Sequence, residues 1–287
     1  MNIKTPIFAA TLMLATAFTQ AEDLQVKVYN ASPESFSVNS TLISGEKEAV
    51  VIDAGFTRAD ALRIAANVLD SNKQLTTILV SQADPDYYFG AETLKQIFPE
   101  AKVVATPAVV EKIKAKLPAK LATWSPRMGA NAPVKPLLPT PLTGNTLTLE
   151  GKTIEIRGTT GILAHRPYVW IPSIKTLTGN IGVFGNMHVW TADTATAAQR
   201  RAWRQQLDEM AALQPQTVIP GHAQAGAQYD ASAIRHTRDY LNTFEQKLAA
   251  SPNSTALIDN MQKAYPDLGG QINLELGAKV NKGEMKW

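Results

Sequence analysis

The chain has 287 residues, 45% of them apolar, a formal net charge of +3 and no cysteine. That length supports one substantial hydrophobic core, and the missing cysteines exclude disulfides and a lipid-modified N-terminal cysteine. Charges of both signs are interspersed, with no basic tract or aromatic-basic stripe, so nothing points to a nucleic-acid partner.

Residues 1–21 have the pattern of a secretory signal peptide: Lys4, an apolar stretch over 6–18, then Thr19-Gln20-Ala21. The stretch is short for a transmembrane helix, and an uncleaved anchor is the alternative to a cleaved signal. The expected location is therefore the bacterial periplasm or the exterior, with no stable membrane anchor after cleavage. Removing this segment, which holds one base and no acid, lowers the charge to +2. Residues 22–287 are expected to form a single α/β domain.

Residues 24–29 alternate as an edge strand, and 36–43 and 49–53 read as two strands about a polar turn. Apolar residues at helical spacing follow over 58–69. Next comes Ile78-Leu79-Val80, a strand suited to burial on both faces, which breaks into the polar loop Ser81-Gln82-Ala83-Asp84-Pro85-Asp86 before Tyr87-Tyr88-Phe89-Gly90. Ligand sites of open α/β sheets lie at such carboxyl-terminal strand ends, and alternate polar residues here can converge on one point. A helix over 92–98, a strand over 102–105 and a helix over 107–117 come next. Residues 124–141, rich in Pro, Ala and Gly, read as a crossing loop or flap. Strands are expected at 147–149, 153–157, 168–171, 176–177 and 217–219. Helices are expected at 195–213, at 231–248 and beyond 254. Both a two-sheet sandwich flanked by helices and one doubly wound sheet accommodate this order.

Five motifs in order resemble the metallo-β-lactamase fold family of metallohydrolases. They are the strand at Val38-Asn39-Ser40 with Val51-Ile52-Asp53-Ala54-Gly55, the loop Ser81 to Gly90, Gly161-Ile162, Gly179-Asn180, and Val218-Ile219-Pro220-Gly221-His222. The resemblance implies an αββα four-layer sandwich of two mixed sheets flanked by helices, with a metal site at one edge. It also implies which positions would carry ligands. Gln82 stands for the first histidine of the metal loop and Asp84 for the second. Asp86 keeps the aspartate, and Tyr87 stands for the third histidine. Ile162 replaces another histidine, Asn180 replaces the bridging aspartate, and His222 is retained. An amide oxygen is a poor zinc ligand, a phenol ligates only when deprotonated, and Asn180 supplies no negative bridge. A tight two-zinc centre is not expected.

Asp84, Asp86 and His222, with Gln82 and Asn180, are the candidate metal positions, for one zinc, manganese or iron ion at most. Asp86 and His188 are the candidate catalytic residues, since histidine is the common ligand and acid/base near neutral pH. Tyr87, His165 and Trp190 are candidate pocket residues, with Trp124 a further ligand-facing aromatic. Phe89 and Trp170 read as core, and Pro85 and Gly90 as structural. Three functions follow. The first is a single-metal hydrolase of ester, lactone or β-lactam-type bonds. The second is a metal-free relative binding a small molecule or a protein partner. The third is acid/base chemistry by Asp84 and Asp86 with His188.

Overall fold

The computed structural model describes residues 23–287; the signal-peptide expectation for 1–21 lies outside them. In chain order come strands β1 (Gln25–Asn30), β2 (Asn39–Ser44) and β3 (Glu48–Ile52), helix α1 (Arg58–Ser71), strand β4 (Gln74–Leu79) and helices α2 (Pro85–Tyr88) and α3 (Ala91–Ile97). Strand β5 (Lys102–Ala105) and helix α4 (Pro107–Met128) follow. Then come β6 (Thr140–Pro141), β7 (Thr146–Leu149), β8 (Lys152–Arg157), β9 (Tyr168–Ile171), β10 (Thr176–Thr178) and β11 (Phe184–Gly185). The chain ends with α5 (Ala197–Ala212), β12 (Thr217–Val218), β13 (His222–Ala223), α6 (Ser232–Ala250), α7 (Ser254–Ala264) and α8 (Gln271–Asn281).

Strands β1 to β6 lie in sequence order in one sheet, antiparallel as far as β3 and parallel beyond it. The second sheet has the order β12-β10-β9-β8-β7 and is antiparallel except for the β10–β12 pair. Ile43, Val50, Ile52 and Leu79 of the first sheet meet Ile154, Ile156, Val169 and Ile171 of the second in a dry layer between them. The outer face of the first sheet is covered by apolar residues of α1, α3 and α4. The outer face of the second is covered by α5 to α8, around Trp203, Leu207, Tyr240 and Phe244. Two sheets with helices outside each make the expected αββα sandwich.

Helix α4 extends beyond the span 107–117 expected from the sequence. It runs on through Pro118 and Pro126, so the first part of the expected flap over 124–141 is helix. Each proline removes one backbone donor, but Leu117, Leu121, Trp124 and Met128 continue the apolar stripe onto the core. Tertiary packing therefore overrides the local breakers. The helix consequently reaches across the open end of the first sheet and carries Lys120 to the loop after β4.

Close main-chain approaches hold that sheet edge together. A methyl group on Gly90 would stand 2.0 Å from the Ala54 carbonyl oxygen, and one on Gly221 would stand 1.9 Å from that of Asn180. Gly90 is therefore required by contact with the chain opposite. Asn39 Nδ2 donates to the Pro220 carbonyl and Asn39 N–H to that of Gly221, fastening the turn before His222 to β2.

Candidate functional site

Strand β4 ends at Leu79, and the loop that follows is held from below by Asp53. The Asp53 carboxyl accepts the Ser81 backbone N–H at 2.7 Å and contacts its hydroxyl at 2.8 Å. Asp53 sits in the left-handed region, at φ 68°, and burial raises its pKa to about 8. This buried carboxyl thus braces the loop through both of its oxygens.

Asp84 occupies the N-cap position of α2 but makes no capping bond with its side chain. Instead its Oδ1 lies 3.1 Å from Lys120 Nζ, with the two side chains 23% and 14% exposed. Asp86, in the first turn of the helix, is buried and faces His222, with Oδ2 3.5 Å from Nε2. His222 Nδ1 lies 2.9 Å from the Phe36 carbonyl oxygen, which can only accept, so Nδ1 carries the proton. Burial lowers the His222 pKa to about 4 and raises that of Asp86 to about 7. The two therefore approach one another as a bare imidazole nitrogen and a carboxyl that readily keeps its proton.

Of the other positions implied by the family resemblance, Tyr87, Asn180 and Gln82 are hydrogen-bonded within the fold. Tyr87 does not line a pocket. It is fully buried, donates its hydroxyl to the Asn180 carbonyl at 3.2 Å, and has a pKa pushed well above the ordinary range by burial. Asn180 turns its amide into the fold, donating to the Ile219 carbonyl and accepting from Val183 N–H. Gln82 Nε2 donates to the Pro167 carbonyl, while its Oε1 is buried without a partner. Ile162 is 52% exposed in the turn Gly161–Leu163.

His188 is also removed from the candidate catalytic group. It is buried beside α6, with Nδ1 3.0 Å from the Tyr240 hydroxyl and a pKa lowered to about 4 by burial. Its backbone is clamped as well, the N–H donating to Gly269 and the carbonyl accepting from Asn273. This histidine packs the helical layer rather than serving the loop.

These side chains do not fit a divalent metal. Among the described residues no group of three His, Cys, Asp or Glu is gathered closely enough to hold one. The ammonium of Lys120 already neutralises Asp84, and Asp86 and His222 remain as two donors with no third.

The space above the loop is a cleft with two lobes that share Asp84, Lys120 and Trp124. One lobe, of about 440 Å³, is lined by Gln82, His165 and Arg166 and by the lysines at 112, 116, 120 and 286, with Asp193 opposite. The other, of about 450 Å³, is walled by Phe36, Phe56, Trp124, Trp190, Ile272 and Trp287, with Asp86 and His222 at its base. Trp124 meets Phe36 and Phe56 edge-on at 5.3 and 5.5 Å, and Trp190 meets Trp287 at 4.8 Å. His165 and Trp190 thus line the cleft from opposite lobes. Burial lowers the His165 pKa to about 4, so that it faces the lysines as a neutral ring.

Lys120 and Arg166 were not identifiable as site residues from sequence. Lys120 is hidden by Pro118, which ends the helix reading too early, although the 3–4 spacing of Ile113, Leu117, Leu121 and Trp124 continues through it. Arg166 follows a 3-10 turn, and no local pattern marks it.

The sequence profile of the metallo-beta-lactamase superfamily matches residues 34–222, from before β2 to the start of β13. Solved structures with this fold include the DIM-1 metallo-beta-lactamase, at 18% identity and a TM-score of 0.57, covering 78% of this chain and 99% of that one. A metallo-beta-lactamase family protein from Thermus thermophilus superposes with a TM-score of 0.62 at 15% identity, covering 90% and 91%. A metallo-beta-lactamase from Pontibacter korlensis gives 0.52 at 17%, covering 79% and 97%. No curated protein matches the chain by sequence. The profile spans well over half the chain, and the order of strands and helices agrees with it: the chain belongs to the metallo-beta-lactamase superfamily.

Proposed function

We propose that this protein binds a small molecule in the cleft after β4 and works without a divalent metal, as a superfamily member whose dinuclear site has eroded. The observation that carries this reading is the Lys120–Asp84 pair, 3.1 Å apart and largely shielded from water. A cationic side chain supplies the charge that a metal would bring to that carboxylate, but it cannot polarise a carbonyl and lower the pKa of a bound water as a metal does. The single-metal hydrolase expected from Asp84, Asp86 and His222 has less support, since Asp84 is taken up by the lysine and only two donors are left. The pattern of residues 1–21 supports action in the bacterial periplasm or outside the cell.

Chromogenic β-lactam, lactone and ester substrates, offered with and without added zinc, manganese or iron(II), test the reading. Turnover should not rise above the buffer rate with any metal. Turnover that a chelator abolishes and Asp86→Ala removes would establish the hydrolase instead.

A further inference from the structure

Arg166 is 4% exposed, and its Nε and Nη1 have no hydrogen-bond partner. Its Nη2 reaches the Ile181 carbonyl at 3.3 Å, and its guanidinium lies 4.4 Å from the centre of the Trp203 ring. Among the described residues no carboxylate pairs with it; Asp193 and Asp84 act on it only at longer range. A guanidinium stays charged in proteins, and burying such a charge without a counter-ion costs several kcal/mol. Stacking on an indole offsets part of this. The same lobe is also lined by Lys112, Lys116, Lys120 and Lys286, with Asp84 and Asp193 as its acids, and Asp84 is already engaged by Lys120. The lobe therefore carries an excess of positive charge, and the Arg166 guanidinium has no carboxylate paired with it.

The adjoining lobe differs in chemistry. Its walls are the rings of Phe36, Phe56, Trp124, Trp190 and Trp287, and the side chain of Ile272, which lines it, is 44% exposed. Trp287 bridges the lobes, touching Trp190 on one side and lying 4.8 Å below Lys120 Nζ on the other. An occupant that satisfies both lobes has an anionic head and an apolar or aromatic body.

Resting on the metal-free binding reading above, we infer that the cleft takes a small amphiphilic organic anion, its carboxylate or phosphate held by Arg166 and Lys120 and its apolar body lying among Trp124, Trp190 and Trp287. Charge-assisted hydrogen bonds from two cations fix the head, and ring contacts with aromatic walls favour the body. Gln82 Oε1, buried in the same wall without a donor, is satisfied by an N–H or O–H next to the anionic group.

Calorimetric titration of the purified protein with 1-naphthoate, 1-naphthyl phosphate, octanoate and the neutral 1-naphthalenemethanol tests this. At least one of the anions should bind, and the neutral alcohol should bind at least about tenfold more weakly than the anion of the same ring. Preference between naphthoate and naphthyl phosphate identifies the head group. Lys120→Gln should weaken the anion about tenfold and leave the alcohol unchanged. Arg166→Lys retains the charge and guards against misfolding of Arg166→Gln; it should bind between wild type and the glutamine variant. Equal binding of anion and alcohol would overturn the charge recognition while leaving a metal-free binding site in place. Binding by none of the probes would overturn the inference altogether. Metal analysis of the same preparation tells either failure apart from a failure of the metal-free reading.

Discussion

Lys120 Nζ stands 3.1 Å from Asp84 Oδ1, at the position in the loop after β4 where the family resemblance implies a metal ligand. The pair links helix α4 to the carboxyl end of a central strand, so it is both a structural clasp and the electrostatic centre of the cleft. Removing the lysine leaves a largely buried carboxylate alone, which should destabilise the fold by about 1–3 kcal/mol. In a double-mutant cycle, Lys120→Met and Asp84→Asn should each cost stability, and the double variant should cost less than their sum. Additive costs would show that the two side chains do not interact in solution.

Tyr87 is a core residue by the same geometry, despite standing where the family resemblance implies a histidine. Tyr87→Phe removes the hydroxyl that donates to the Asn180 carbonyl and should cost about 0.5–1.5 kcal/mol in chemical denaturation. Ligand affinity should not change, because the ring does not face the cleft. A tenfold loss of affinity without loss of stability would place Tyr87 in the binding site.

The buried carboxyls fix the sign of the pH dependence. Asp53 and Asp86 are raised to about 8 and about 7, against about 3.9 in an unfolded chain. The folded protein holds protons that the unfolded chain releases, so their stabilisation is present at low pH and is lost as pH rises towards those values. His165, His188 and His222, lowered to about 4, act in the opposite sense and lose their contribution as pH falls from about 6.5. Above that value the histidine contribution fades and that of the carboxyls prevails. The melting temperature should therefore fall between about pH 6.5 and pH 8, by the equivalent of about 1 kcal/mol or more. Asp53→Asn, which keeps an acceptor and a donor for Ser81, should flatten that fall. A wild-type melting temperature that rises across the window would contradict the raised values.

Much of this architecture is legible in the residues because it depends on local periodicity and on motif order. The buried Ile78 and Leu79 close strand β4, and β5 and β9 occupy the spans expected for them. The five ordered motifs carry the sandwich, and Trp170 and Phe89 are core. The site was less legible, since its decisive contacts join residues far apart in sequence. Nothing near Asp84 signals that Lys120 will meet it, because the two prolines of α4 obscure the helix that carries the lysine. His188 has a residue type common in active sites, but its burial beside Tyr240 depends on α6, which comes much later in the chain. Arg166 is a further case: a single arginine after a turn acquires meaning only from the indole beneath it and the carboxylates that do not reach it.

Gly221 should tolerate no side chain. A methyl group there would stand 1.9 Å from the Asn180 carbonyl oxygen and 2.5 Å from the Tyr87 hydroxyl. Gly221→Ala should cost about 3 kcal/mol or more, or prevent folding, since the opposing group is main chain and cannot step aside. Thermal unfolding within a degree of wild type would show that this edge of the sandwich is looser than described.

The central claim is that charged side chains, rather than a metal, organise the cleft. Elemental analysis of protein purified without chelator, then dialysed against zinc and washed, addresses it most directly. Zinc, manganese and iron should all remain far below one equivalent per chain in the wild type, because Lys120 engages Asp84 and leaves Asp86 and His222 without a third ligand. One or two tightly held equivalents in the wild type would contradict the account.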